Sequence, residues 1–162
     1  MKTLFTFLVC VFSVCVISAQ EVNLDKMNES ERNQYLIKLA KEVTKNFGPG
    51  YYREYSKPVI VKEVFETNLK HDELRKLIGR EYYTVTFPYD KTKEHLETDY
   101  TSQVKIWKDT GEPFAVGFGN GWGRHFIGGL SYKEHLQVGI EEDEIIQYQQ
   151  VVIDTTSIWR KD

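Results

Sequence analysis

The sequence predicts an α+β domain: an N-terminal amphipathic helix packed on a curved, mostly antiparallel sheet of about five strands. Three observations predict it. Residues 28–47 carry apolar side chains three and four positions apart, the repeat of one helix face. Several later segments alternate apolar with polar residues, the two-residue repeat of a strand with one buried side. The connectors between those segments are short, and parallel crossovers need roughly a dozen residues or more.

The first residues read as a leader. Lys2 precedes a nearly unbroken apolar run from Leu4 to Ile17, and Ser18-Ala19 stands before the polar pair Gln20-Glu21. A positive start, an apolar stretch and a small residue at the cut make a cleavable signal peptide over residues 1–19. A membrane span needs roughly 20 apolar residues, so no stable anchor is expected after cleavage. The leader resembles those of exported bacterial proteins, which implies a secreted or periplasmic location. Residues 20–27 read as a loose lead-in, and residues 28–162 as one domain.

The helix opens at Asn28, whose spacing to Glu31 is that of a capping box. Leu36, Leu39, Ala40, Val43 and Phe47 form its stripe, and Gly48-Pro49-Gly50 ends it. Pro58 precedes the strand-like run Val59 to Phe65. Asn68 to Ile78 suggests a short second helix closed by Gly79. From Glu81 to Tyr89, residues Tyr83, Val85, Phe87 and Tyr89 fall on one face, and Tyr82, Thr84 and Thr86 on the other. Pro88, lacking an amide donor, marks a strand end or a sheet edge.

Lys91 to Asp99 is a charged connector. Thr101 to Lys108 is a strand with Val104 and Ile106 inward, and Asp109-Thr110-Gly111-Glu112 turns it into Phe114 to Phe118. The run Ile145 to Ile153 reads as a final strand. This order of elements resembles the cystatin-like and NTF2-like layouts, in element order alone and with no shared motif.

Composition narrows the chemistry. Both cysteines, Cys10 and Cys15, lie in the leader, so the exported part forms no disulfide and carries no thiol chemistry. The net charge of −3, with bases interspersed among acids as in Lys91-Thr92-Lys93-Glu94, argues against a nucleic-acid partner. All ten tyrosines and all three tryptophans follow the leader. Rings with polar handles build cores, and they also build sugar-stacking or protein-binding faces.

No catalytic motif is complete. Asp109-Thr110-Gly111 spells part of an aspartic protease signature, but Lys108 and Glu112 flank it where an apolar residue and a hydroxyl belong. A tight turn accounts for the same residues. His71, His95, His125 and His135 lack the helical spacing of a metal site, and Ser131 lacks the second glycine of a nucleophile elbow. Glu141-Glu142-Asp143-Glu144 reads as a solvated turn. Neither a cofactor nor a metal is implied.

Residues 117–129 hold six of the eleven glycines. They either let a strand bend sharply or free a loop for a ligand. Asn120, Trp122, Arg124 and His125 would then be the ligand-binding residues: an amide, a stacking ring, a cation and an imidazole. The expectation is a non-catalytic exported binding or accessory domain, its partner a small-molecule glycan or a protein. The alternative is a small carbohydrate-active hydrolase or lyase, with His125 or a tyrosine working beside a carboxylate.

Overall fold

The structure is a computed structural model that describes residues 22–138. The leader, the acidic run 141–144 and the expected strand 145–153 lie outside the described residues. Within them the architecture is α+β, three helices and one five-stranded antiparallel sheet.

Helix α1 spans Glu29–Phe47. Asn28 accepts a hydrogen bond from the Glu31 amide, and the Glu31 carboxylate accepts one from the Asn28 amide. That exchange satisfies two donors the first turn would otherwise strand. Just before it, residues 24–26 make a 3-10 turn whose Leu24 is fully buried. A segment that reads as a loose lead-in is thus tied into the core by one leucine.

The strands are β1 (Val59–Val64), β2 (Glu81–Pro88), β3 (Tyr100–Trp107), β4 (Pro113–Phe118) and β5 (Gly123–His125), lying side by side in chain order. Pro88 ends β2 at a register shift and is not on an edge, since β2 pairs on both sides. Helix α2 is shorter than the sequence suggests, Asp72–Arg75, and Gly79 at φ +88 reverses the chain after it. A third helix, α3 (Tyr132–Val138), follows β5.

Period-two alternation divides the sheet into two faces. One face carries Tyr83, Val85, Phe87, Val104, Ile106, Val116 and Phe118, packed against Leu36, Ala40, Val43 and Phe47 of α1. Thr44 of α1 donates a hydrogen bond to Ser102 of β3 at 3.0 Å, both fully buried. The second face bears a separate cluster of Tyr82, Trp107, Phe114 and Ala115, with Phe65, Leu77 and Ile127 against it. A register shift between Lys105 and Ile106 places Phe114 on this side, next to Trp107. Hydrogen bonds from Phe65 N to Arg80 O and from Gly79 N to Phe65 O close the β1–β2 connection at its base, beside that cluster.

Candidate functional site

Residues 117–129 form a β4–β5 hairpin followed by a short loop, with Gly121 at φ +77 in its turn. The Asn120 carboxamide oxygen accepts a hydrogen bond from the Trp122 amide at 3.2 Å, folding back on its own turn. The Trp122 indole stacks on Phe118, centroids 5.2 Å apart and planes 9° from parallel. It closes the edge of the α1-side core.

Arg124 and His125 are consecutive in β5 and face opposite ways. Arg124 pairs across the ladder with Val116, on the α1 face, and His125 with Ala115, on the second face. The Arg124 guanidinium lies 5.5 Å from the centre of the Phe47 ring and 3.4 Å from the His135 ring nitrogen. It joins β5 to α1 and α3. The structure therefore does not bring Asn120, Trp122, Arg124 and His125 to one surface. His125 lines a cavity on the second face.

That cavity is a cleft of about 370 Å³ on the second face, lined by Phe65, Glu66, Thr67, Leu69, Leu74, Tyr82, Lys105, Phe114, His125 and Ile127. Its floor is the sheet itself: Tyr82 and Phe114 meet edge to face with centroids 5.2 Å apart. Its outer wall is the β1–β2 connection, through Phe65, Leu69 and Leu74. The polar groups come from separate elements. Lys105 rises from β3, His125 from β5, and Glu66 from the chain just past β1.

The Lys105 ammonium lies 5.5 Å from the centre of the Tyr82 ring, within the range of a cation over an aromatic face. Burial pushes the Tyr82 hydroxyl above its usual pKa, and the Glu63 and Glu66 carboxylates push it further. Tyr82 is accordingly a neutral hydroxyl at any physiological pH. Glu63 itself accepts the hydroxyl proton of Thr84.

Asp109, from the incomplete protease motif, has a structural task. Arg80 grips its carboxylate at 2.8 and 2.9 Å while lying 4.1 Å from the centre of the Trp107 ring. Burial alone would raise the Asp109 pKa; the bonds and charge of Arg80 outweigh it and hold the group below the usual carboxylate range. Among the described residues no three His, Cys, Asp or Glu side chains are placed to hold a metal ion, and no helix is long and apolar enough to cross a membrane.

No family model matches the chain, and no curated protein or solved structure is detectably similar to it. The functional reading rests on the cleft.

Proposed function

We propose that the chain is a small exported binding or accessory domain whose ligand sits in the cleft on the second face of the sheet. The cleft is the observation that carries this reading. Its volume, about 370 Å³, lies in the range of small-molecule sites, and such sites combine apolar walls with a few convergent polar groups. Here Phe65, Leu69, Leu74, Phe114 and Ile127 supply the walls, and Tyr82, Lys105 and His125 the polar contacts.

A glycan is the ligand class that the aromatic composition favours, with a protein partner second. Export rests on the leader at residues 1–19. The cystatin-like or NTF2-like layout is proposed from the order of α1 and the five strands, with α1 lying on one face and the opposite face left to the ligand.

Amide chemical-shift mapping against a panel of mono- and oligosaccharides and small ring compounds tests the reading. Shifts at Tyr82, Lys105, Phe114 and His125 support it. Shifts confined to Asn120, Trp122 and Arg124 would move the site to the hairpin, and a panel that shifts neither set would remove it.

One observation favours an enzyme as the second reading: His125 and Glu66, an imidazole and a carboxylate, line the same cleft. Glycoside hydrolysis in its usual form needs two carboxylates across the bond, and the cleft contains one. A hydrolase or lyase here would lose turnover in His125→Ala while keeping its ligand affinity.

A further inference from the structure

We propose that the cleft selects a small ring-bearing carboxylate, recognised by Lys105 as the partner of the acid group. The inference deepens the binding reading above and rests on it. Lys105 sits between Val104 and Ile106, both fully buried on the α1 side, so alternation sends its side chain to the opposite face. There its ammonium lies over the Tyr82 ring, 5.5 Å from the centroid, and the residue lines the cleft. Among the described residues it forms no ion pair, whereas the other half-buried lysines, Lys41 and Lys108, are bound to carboxylates.

A half-buried lysine with no carboxylate partner among the described residues, set beside apolar walls, has donors to offer, and a carboxylate is the complementary group. The walls ask for an apolar or ring-shaped body attached to that group. Glu63 and Glu66 oppose an anion, but both residues are exposed, where water weakens their fields; Lys105 is partly withdrawn from solvent, where a charge acts more strongly. His125 and Tyr82 line the same cleft, and both side chains are of types that can donate a hydrogen bond.

Two sources share this chemistry, a uronic-acid sugar and an aromatic or alicyclic acid. The test measures affinity by calorimetry and amide-shift titration for two matched sets. Methyl β-glucuronide is compared with methyl β-glucoside, and 4-phenylbutyrate with 4-phenylbutanol and 4-phenylbutylamine. In at least one set the carboxylate binds at least about tenfold tighter than its neutral counterpart, the scale of one charge-assisted hydrogen bond. The set that shows the preference identifies the source.

Lys105→Gln brings the preference within about twofold, and Lys105→Arg keeps most of it. Equal binding of acid and alcohol, preference for the amine, or selectivity surviving in Lys105→Gln overturns the inference while leaving the cleft as a binding site. Absence of binding by every probe, with no shifts around Tyr82 and Phe114, overturns both.

Discussion

The Trp107 indole and the Phe114 ring lie face to face, centroids 3.8 Å apart and planes 16° from parallel. Neither belongs to the core beneath α1. They anchor the second cluster, with Tyr82 edge-on to both and Phe65 tilted against Trp107 and edge-on to Phe114. One stack therefore supports both the fold of this face and the floor of the cleft. Phe114→Ala should lower stability by about 3–5 kcal/mol, the range for deleting a buried ring, and Phe114→Leu by clearly less. Urea denaturation reads both, and a loss below about 1 kcal/mol in the alanine variant would show the stack to be incidental.

Thr44 and Ser102 make a different kind of pair, two hydroxyls joined where no water reaches. Thr44→Val leaves the Ser102 hydroxyl without this partner and should cost about 1–3 kcal/mol. Ser102→Ala should cost a similar amount for the converse reason. The double variant should cost less than the sum, because it removes both polar groups together. Strict additivity in that cycle would mean each hydroxyl has another partner.

Glu81 accepts from Lys108 at 2.7 Å and from Lys62 at 2.8 Å. These bonds and charges bring its pKa from the usual 4.5 down to about 2. A depressed folded-state pKa stabilises the fold fully above the unfolded value, and that contribution disappears as pH falls through the folded one. Between about pH 5 and 2 the wild type should therefore lose stability more steeply than Glu81→Gln. Asp109, also held low by Arg80, adds to the slope in both proteins. Denaturation midpoints taken at half-unit pH steps check this; parallel curves would deny Glu81 its role.

Gly48 caps α1 with an extended backbone, φ −161, so left-handed geometry is not what requires glycine there. A Cβ at this position would run into the fully buried Phe118 ring. Gly48→Ala should cost about 1–3 kcal/mol through overpacking, and Gly48→Ala with Phe118→Leu should recover part of it. Gly50 faces open space, and Gly50→Ala supplies the control, with little expected change.

Features governed by near neighbours were legible in the residues themselves. Asn28 with Glu31 announces a helix start within four residues. The alternation of Tyr83, Val85 and Phe87 announces a buried strand face, and Asp109 to Glu112 announces a turn. The sequence holds a second helix-start signal of this kind. Ser131 and Glu134 also make a reciprocal pair at the head of α3, the carboxylate accepting from the Ser131 amide at 2.7 Å, so the Ser131 hydroxyl has a capping task.

The cleft was legible only in His125. Its other residues come from β2, β3, β4 and the β1–β2 connection, and they meet only after pairing and a register shift set the faces. Lys105 could have been placed on the second face from Val104 and Ile106 alone. That Phe65 and Leu74 would fold over it depends on contacts far apart in the chain. His125 parts from Arg124 because neighbours in a strand point apart, whereas Trp122 and Arg124 both pack on the α1 side.

Among the described residues, strands consecutive in the chain are neighbours in the sheet. The closing loops at 108–112 and 119–122 are the tightest, so β3, β4 and β5 can zip together with little loss of chain entropy. Contacts between α1 and β4 join distant parts of the chain in the α1-side core, and those between α1 and Tyr132 are more distant still; both gain once those hairpins exist. Refolding should accordingly be quick for a sheet protein, with few long loops to close before the first stabilising contacts form.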